Sequence, residues 1–469
     1  MPTFPEPTEA MRFDEAMASL PPDYPDDTLA EQIRIAIQTS KRKVVVLDDD
    51  PTGPQAMGDV FVLTEWTVDA LRRELAEPRP LFFVLTNTRA LPVQRAIDLH
   101  VELMHSLNQA ARQAGKEFSI VSRADSTLRG HFPDELGALG SFDAVLLVPF
   151  FLEGGRYTLY NIQWVREGPW LLPAAQTPYA RDPVFGYSHS HLANWIEEKS
   201  RGRMSAAETL SLSLDMLRKQ GPDSVARLIA QAGGRVVIAN AMSYRDLEVI
   251  ARGVVAAESE GYRVLVRSAA SFVRVRGAAA VNLVLTSLGT LNKPETVGAL
   301  VIVGSHVPRS SAQLERLLQT GVCSSAEVSL EAIVAGDTDR EIAHTASYVN
   351  RELREGRHVV VYTSRRLIGA GGADGFNIGQ RVATALVEIV RRLTVRPRFI
   401  VAKGGWTASE IGTKALGVRR AYVPAPVLPG VPVWLLGNES RFPGLPFVIF
   451  PGNVGDPDAL VSVVNSQLL

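Results

Sequence analysis

Short, continuous apolar runs alternate with longer segments in the first half of the chain. In the longer segments, apolar residues recur at every third or fourth position, most clearly in residues 93–115, and this spacing predicts amphipathic helices. The short runs predict buried strands, and they occupy residues 43–49, 59–64, 81–86, 118–123 and 144–150. Strands that alternate with helices are typical of a mostly parallel sheet, so we predict an α/β fold.

The alternation resumes twice later in the chain. A strand at residues 235–241 leads into a helix at 243–261, for which Ser243 is a suitable N-cap. A polar stretch with proline and glycine follows at residues 287–298. A new series of strands then begins, at residues 299–305, 358–364, 398–405, 420–425 and 446–452. We therefore place a domain boundary near residues 280–298.

The predicted organisation is an N-terminal extension at residues 1–40, a first domain at 41–280 and a second domain at 298–469. Each domain is predicted to be a mostly parallel sheet flanked by helices. The length of 469 residues supports this division, because domains usually contain about 100–200 residues. The extension is rich in proline and acidic residues, and we expect it to be loosely held or to contact a partner.

Composition excludes several classes of partner. The 49 Lys and Arg residues nearly balance the 50 Asp and Glu residues, so no overall field would attract nucleic acid or an anionic membrane. The single cysteine, Cys323, excludes an internal disulfide and favours a reducing cytosol. No signal-peptide pattern opens the sequence, and no apolar run approaches the ~20 residues of a membrane helix. We expect a soluble, cytoplasmic protein.

Two predicted strand ends in the first domain carry polar clusters. The strand at residues 44–47 ends in three acids, at positions 48–50, although a solvated acidic turn is the alternative. The strand at 118–123 opens into a loop that combines two arginines, an aspartate and two hydroxyls, namely Arg123, Asp125, Ser126, Thr127 and Arg129. That set suits a small, hydroxyl-rich anion. The alternative is that these arginines pair only with acids of the chain.

Two glycine turns follow strands in the second domain. Gly404 and Gly405 come after one strand, and residues 452–455 come after another. Such turns let backbone N–H groups approach a phosphate, although each alone could be an ordinary tight turn. The sequence contains neither a G-x-x-x-x-G-K-[ST] phosphate loop nor a G-x-S-x-G elbow. His189 and His191 lack the companions of a zinc site, so we predict no metal-binding side chains.

Four motifs in this order resemble the four-carbon acid sugar kinase family over residues 42–465. They are Asp-Asp-x-Thr-Gly at 49–53, Asp-Ser-Thr-Leu-Arg-Gly at 125–130, Gly-Gly-x-Thr at 404–407 and Gly-Asn-x-Gly at 452–455. The resemblance implies that the first domain holds a tetronate-type sugar acid and that the second binds ATP with Mg²⁺. It also implies an active site in the cleft between the domains. Trp406 departs from the pattern, where a smaller or acidic residue is expected.

The resemblance assigns site residues by position. The substrate residues that it implies are Thr52, Arg123, Asp125, Ser126, Thr127, Arg129 and Arg156. The nucleotide residues that it implies are Ser305, Gly404, Gly405, Trp406, Thr407, Gly452, Asn453, Val454 and Gly455.

Phosphorylating a hydroxyl requires a carboxylate that orients the attacking oxygen and accepts its proton. Asp49 is the first candidate and Asp50 the second, and the neighbouring acids would orient other hydroxyls or a Mg²⁺ on the nucleotide. Arg123 and Arg129 are the expected partners of the substrate carboxylate, with Arg156 as a weaker third.

The predicted function is ATP-dependent phosphorylation of a four-carbon sugar acid, or of a branched or oxidised relative, in carbohydrate catabolism. One alternative is a metal-assisted sugar-acid aldolase or dehydratase, which the two glycine turns disfavour. The other is a non-catalytic sugar-acid sensor. Assembly into a homo-oligomer is left open.

Overall fold

The computed structural model describes residues 3–40, 42–279, 285, 297–365 and 373–466. The chain forms two compact units, one of residues 1–53 and 65–280, the other of residues 54–64 and 281–469. Both units combine sheets with helices, so the prediction of a two-domain α/β fold is confirmed. Most of the predicted boundary region, residues 280–298, lies outside the described residues.

The strands are numbered along the chain. They are β1 (Met11–Arg12), β2 (Arg42–Asp48), β3 (Val60–Leu63), β4 (Leu81–Leu85), β5 (Glu117–Arg123), β6 (Ala144–Val148), β7 (Arg156–Leu159), β8 (Ile162–Glu167), β9 (Trp170–Pro173), β10 (Leu210–Leu212), β11 (Val236–Ala239), β12 (Val264–Ser268), β13 (Leu300–Val303), β14 (Cys323–Val328), β15 (His358–Thr363), β16 (Ile400–Lys403), β17 (Arg420–Val423), β18 (Pro426–Leu428), β19 (Val431–Leu436) and β20 (Pro446–Phe450).

The helices are numbered in the same way. They are α1 (Phe13–Ala18), α2 (Leu29–Thr39), α3 (Val68–Ala76), α4 (Val93–Ala114), α5 (Asp134–Gly137), α6 (Leu192–Lys199), α7 (Leu214–Gln220), α8 (Pro222–Ala232), α9 (Tyr244–Ser259), α10 (Ala270–Arg276), α11 (Pro308–Thr320), α12 (Leu330–Ala335), α13 (Thr338–Arg354), α14 (Ala373–Arg391), α15 (Gly405–Glu410) and α16 (Ala459–Val464).

Parallel strands form the main sheet of the first unit, in the order β10-β11-β6-β12-β5-β2-β4. Their apolar side chains are buried on both faces, as in β2 and β4, because helices flank the sheet. The predicted long helix is α4, which ends at Gly115 in the left-handed conformation. The predicted N-cap of α9 is also confirmed, since Ser243 and Asp246 form a capping box.

An antiparallel sheet also belongs to the first unit, and the sequence did not predict it. Its strand order is β1-β9-β8-β7. The first strand comes from the N-terminal extension, because Met11 pairs with Leu171 and Arg12 with Trp170. These strands were missed because they are short and carry polar or aromatic residues in place of a continuous apolar run.

The N-terminal extension is docked on the first unit, so the expectation of a loosely held arm is wrong. The carboxylate of Glu6 accepts hydrogen bonds from the backbone N–H groups of Ser190 (2.9 Å) and His191 (3.1 Å) and from Asn194 Nδ2 (2.8 Å). The ring of Phe4 stacks on the ring of His191 at a centroid distance of 4.7 Å. The hydrogen bonds of Glu6 therefore hold the N-terminal extension in place, although its proline-rich and acidic composition indicated an exposed segment.

The second unit contains a mixed sheet, in the order β3-β17-β19-β20-β16-β13-β15-β14, with β18 on β19. Strands from β20 to β14 are parallel, and those from β3 to β20 are antiparallel. The prediction of a mostly parallel sheet therefore fits only part of this unit. Its core packs apolar residues of α11 and α16 against the sheet, such as Leu317 and Val463 against Val301.

Strand β3 belongs to the second unit although its residues lie within the predicted first domain. Val60 to Leu63 pair antiparallel with Arg420 to Val423 of β17. Thr64 N also donates to the backbone oxygen of Arg419 at 3.0 Å. The sequence signal for a strand at 59–64 was correct, but a pairing partner more than three hundred residues away leaves no local trace.

No helix in the described part of the chain has the length and apolar character needed to cross a membrane.

We expect Glu6→Ala to release the start of the extension, because four donors around residues 189–194 would lose their acceptor. Amide hydrogen exchange at Ser190 and His191 should become about tenfold faster, which corresponds to ~1.4 kcal/mol of lost protection. Glu9→Ala, at an exposed position of the same segment, is the matched control and should leave the exchange rates unchanged. Equal exchange rates in the two variants would contradict this description of the arm.

Candidate active site

Three consecutive aspartates lie at the carboxyl end of β2. Asp48 is fully buried, Asp49 is 5% exposed, and the side chain of Asp50 is 18% exposed. The parallel register places Asp48 beside Arg123 of β5 and Leu85 of β4. The alternative of a solvated acidic turn is therefore wrong, because these carboxylates are removed from water.

Arg123 is buried against the first of these acids. Its Nη1 lies 3.2 Å from Asp48 Oδ1 and 3.6 Å from Asp49 Oδ1, and its Nη2 donates to Thr52 Oγ1 at 3.1 Å. Gly53 leaves the space that Asp48 needs, since a Cβ on Gly53 would lie 1.6 Å from Asp48 Oδ2. The predicted residues Asp49, Thr52 and Arg123 are thus adjacent.

Arg89 is the cation that the sequence reasoning missed. It follows β4, and its Nη2 lies 2.6 Å from Asp50 Oδ2 and 3.6 Å from Asp49 Oδ1. Its Nη1 lies 3.5 Å from Asp125 Oδ1, so one guanidinium contacts the acids of two motifs. The signal was present, because Thr-Asn-Thr-Arg directly follows a strong strand pattern at the edge where ligands bind.

Burial and the guanidinium groups of Arg89 and Arg123 shift the pKa values of the three neighbouring acids in different directions. Burial raises the pKa of Asp48 well above its usual range. Burial also raises the pKa of Asp49 to about 6, although Arg89 and Arg123 act to lower it. For Asp50, burial acts in the same direction, but Arg89 and Arg123 outweigh it and the pKa is lowered. Of the two motif acids Asp49 and Asp50, only Asp49 thus has a pKa that is raised toward neutrality.

Asp49 also differs from its neighbours in its hydrogen bonding. Neither of its carboxylate oxygens has a hydrogen-bond partner, whereas Asp50 Oδ1 accepts from Thr52 N at 2.8 Å. The backbone approaches closely at Gly130, where a Cβ would lie 3.5 Å from Asp49 Oδ2. A buried acceptor without a donor is rare in proteins, so these two oxygens are candidates to accept a hydrogen bond from a ligand.

Asp125 anchors the predicted substrate loop. Its Oδ2 accepts from Arg129 Nε at 2.7 Å and from the hydroxyl of Thr127. Burial acts to raise the pKa of Asp125, but Arg129 and Arg89 hold it well below the usual range. Ser126 is also buried, and its backbone oxygen accepts from Gln163 Nε2 at 2.8 Å.

Arg129 and Arg156 meet at one aromatic ring. Each guanidinium carbon lies 5.4 Å from the ring centroid of Tyr179. Arg156 Nη2 donates to the Tyr179 hydroxyl at 3.1 Å, and Arg129 Nη1 lies 3.6 Å from Asp182 Oδ2. The predicted arginines of this unit therefore pair with groups of the chain, and their role toward a substrate carboxylate stays a prediction.

In the second unit, the two predicted glycine turns and the loop that carries Ser305 lie at one edge of the sheet. The parallel register aligns Val303 of β13 with Lys403 of β16, and Lys403 with Phe450 of β20. Ser305, Gly404 and Gly452 follow these strands directly, so the predicted nucleotide residues come together.

The contacts among these loops are close enough to require glycine. Gly404 has φ 115°, and a Cβ there would lie 3.0 Å from Ser305 Cβ and 3.3 Å from Thr407 Oγ1. A Cβ on Gly452 would lie 3.0 Å from Ser305 Oγ. Ser310 Oγ joins the same group, with Ser305 Oγ and the backbone oxygen of Gly452 at 3.0 and 3.1 Å.

The remaining predicted nucleotide residues lie in the same turns. Gly405 begins α15, and Trp406 beside it is 40% exposed. The backbone oxygen of Asn453 accepts from Arg309 Nη1 at 3.1 Å. Val454 packs against the core, and Gly455 has φ 84°, in the left-handed region.

Lys403 and Arg365 are cations at this edge that the sequence reasoning did not select. Lys403 is fully buried, and its Nζ donates to the backbone oxygen of Pro451 at 2.5 Å. Burial lowers the pKa of Lys403 to about 7. Lys403 lies close to the end of one predicted strand and Arg365 directly follows another, which was the available signal.

Taken separately, the two sites have different chemistry. The first unit offers a buried acceptor among carboxylates and guanidinium groups, which suits an anion with hydroxyls. The second offers glycine turns and hydroxyls, which suit phosphate. Among the described residues, no three His, Cys, Asp or Glu side chains are placed to hold a metal ion.

Comparison with known proteins assigns both units. A sugar-binding N-terminal domain matches residues 44–276, and a nucleotide-binding C-terminal domain matches residues 300–460. A D-threonate kinase of Salmonella typhimurium is 23% identical over 444 residues, which cover 89% of this chain and 96% of the relative. A D-erythronate kinase of Heliobacterium modesticaldum is 26% identical over 225 residues, which cover 45% of this chain and 47% of the relative.

The fold is shared with solved structures. A crystal structure of a protein from Salmonella typhimurium LT2 superposes with a TM-score of 0.66 at 16% identity. The match covers 91% of this chain and all of the other, so the likeness extends over both units.

We expect amide substitutions at the two neighbouring acids to have opposite effects on stability. Because the folded-state pKa of Asp49 is about 6 against an ordinary 3.8, its charge opposes folding fully above pH 6, and this penalty shrinks as the pH falls from 6 towards 3.8 and is absent below that. Asp49→Asn should therefore raise the free energy of unfolding near pH 7.5 by up to about 3 kcal/mol and change it little near pH 4.

Asp50→Asn is the matched comparison. The lowered pKa of Asp50 means that its charge stabilises the fold at neutral pH and that this stabilisation is lost as the pH falls. This variant should lower the free energy of unfolding near pH 7.5. Urea unfolding curves at the two pH values measure both effects, and destabilisation by both variants near pH 7.5 would contradict the electrostatic description.

Proposed function

The chain belongs to the four-carbon acid sugar kinase family, and we propose that Asp49 is the general base with which it phosphorylates a hydroxyl of a four-carbon sugar acid. The family assignment makes the chain an ATP-dependent sugar-acid kinase. The observation that carries the proposal for Asp49 is its buried carboxylate, both of whose oxygens lack a hydrogen-bond partner.

The environment of Asp49 supports this role. A general base works best when its pKa lies near the operating pH, and burial brings the pKa of Asp49 to about 6. An unpaired carboxylate oxygen can accept the hydrogen bond of a substrate hydroxyl and then its proton. Asp50 is less suited because Arg89, at 2.6 Å, holds it ionised and engaged.

The guanidinium groups around the acids suit the substrate's carboxylate. We retain Arg123, Arg129 and Arg156 as its partners. Nε of Arg123 and Nε of Arg156 are buried without a hydrogen-bond partner. Such donors are available to a ligand, and planar guanidinium groups match carboxylates in geometry. Asp125, Ser126 and Thr127 would orient the hydroxyl groups of the sugar acid.

The second unit would hold the nucleotide at Ser305 and at the glycine turns around Gly404 and Gly452. Absence of a Cβ lets backbone N–H groups reach phosphate oxygens. ATP would supply the phosphoryl group, and Mg²⁺ bound with it would neutralise charge on the phosphates. The Mg²⁺ would be held by the phosphates together with one or two oxygen ligands of the protein, as is usual for Mg²⁺ on a nucleotide.

The choice of sugar acid is the finer part of the proposal. The relatives are named as kinases of D-threonate and of D-erythronate, two acids that differ in configuration. We propose a substrate of this four-carbon class. The alternatives of an aldolase, a dehydratase or a sensor are not supported, because the full-length relative is a kinase.

A panel of four-carbon and five-carbon sugar acids, assayed by coupled ADP release, tests the function. We expect turnover with at least one four-carbon acid and a fall in kcat of at least ~100-fold in Asp49→Asn, with KM for ATP near the wild-type value. Absence of ADP formation with every acid would refute the kinase assignment. Normal turnover by Asp49→Asn would move the base to another acid, with Asp50 as the next to test.

We expect Gly404→Ala to raise KM for ATP at least about tenfold, because the new Cβ would meet Ser305 at 3.0 Å in the phosphate-binding turn. KM for the sugar acid should change little. Gly336→Ala is the matched control, since Gly336 also has a positive φ, 99°, but a Cβ there meets nothing within 4 Å. Similar changes in both variants would show that backbone strain, rather than a lost phosphate contact, is responsible.

A further inference from the structure

Arg365 has an unusual set of contacts for a half-buried arginine. It follows β15, and its Nη1 donates to the backbone oxygen of Ser305 at 2.7 Å. Its Nε and Nη2 are shielded from solvent and have no hydrogen-bond partner. Within the described parts of the chain, no ion pair joins Arg365 to a carboxylate. Two donor groups of one guanidinium are thus left unsatisfied by the protein itself.

Such an arrangement is costly unless a ligand completes it. A buried charged donor without a partner loses the full free energy of its hydration. Other cations at this edge are satisfied by backbone oxygens, since Lys403 donates to Pro451 at 2.5 Å and Arg309 to Asn453 at 3.1 Å. Arg365 differs from them because two of its nitrogens are shielded from solvent without a partner, whereas neither Lys403 nor Arg309 has such an atom.

The position of Arg365 points to the nature of the missing acceptor. Strand β15 pairs with β13, so the residues that follow the two strands are neighbours. Ser305, whose backbone oxygen Arg365 holds, lies against both glycine turns, because Cβ atoms on Gly404 and Gly452 would each approach it to 3.0 Å. His306 Nε2 lies 3.0 Å from Thr363 Oγ1, which ties the same two strand ends together.

We propose that Arg365 binds phosphate oxygens of the nucleotide through Nε and Nη2, while its Nη1 holds the Ser305 turn in place. This inference rests on the proposed function of the second unit. A guanidinium presents two parallel N–H groups that match two oxygens of one phosphate, a geometry that an ammonium cannot reproduce. Because the hydrogen bond from Nη1 to the backbone oxygen of Ser305 fixes the guanidinium plane, Nε and Nη2 are already oriented before the nucleotide binds.

Isothermal titration of ATP into the full-length wild type, Arg365→Gln and Arg365→Lys tests the proposal. We expect ATP affinity to fall at least tenfold in Arg365→Gln and by a smaller factor in Arg365→Lys. Adenosine, which has no phosphate, is the reference ligand, and its affinity should stay within about twofold of the wild type. Arg392→Gln changes an exposed arginine of the same unit and should leave both affinities unchanged.

The outcomes separate this inference from the function on which it rests. Wild-type ATP affinity in Arg365→Gln would overturn the inference and leave the kinase assignment intact. An equal loss for ATP and adenosine would also overturn it, since a merely structural role predicts that result. Failure of the wild type to bind ATP would refute both. If Arg365→Gln does not fold, Arg365→Lys decides, because it keeps the charge and a donor but lacks the fork.

Discussion

The burial of several carboxylates at one strand end constrains the architecture of the first unit. Asp48 and Asp49 are almost removed from water, and their charges require nearby cations. The parallel register meets this requirement by placing Arg123 of β5 beside Asp48, and the turn after β4 supplies Arg89. The order of β5, β2 and β4 is therefore also what places guanidinium groups on two sides of the acids.

The same constraint gives adjacent acids different chemistry. Asp50, paired closely with Arg89, has a lowered pKa, whereas the pKa of Asp49, whose carboxylate oxygens have no hydrogen-bond partner, is raised to about 6. Sequence alone cannot separate Asp49 from Asp50, because the difference arises from the guanidinium of Arg89, in the turn after β4. The two acids differ in the hydrogen bonds that they make, and a sequence motif shows only that both acids are present.

Much of the fold could be predicted because its signals are local. The apolar runs of β2 and β4, the spacing of α4 and the cap at Ser243 depend on neighbours in the chain. Features that depend on residues far apart in the chain could not be predicted. Glu6 finds its donors near residue 190, β1 pairs with β9, and the contacts of Tyr179 with two arginines follow from folding alone. The site motifs were visible in sequence, but the cations that link them were not selected.

The origin of β3 affects how the chain can be divided and how it folds during synthesis. Residues 54–64 leave the ribosome early, yet their partner β17 is made only after residue 420. The parallel sheet of the first unit can therefore form before the strand that pairs with β3 has been synthesised. A fragment that begins at residue 298 would leave β17 as an open edge, with unpaired backbone groups that favour aggregation. A gene designed to express the second unit alone would have to include residues 54–64 together with the C-terminal residues of that unit.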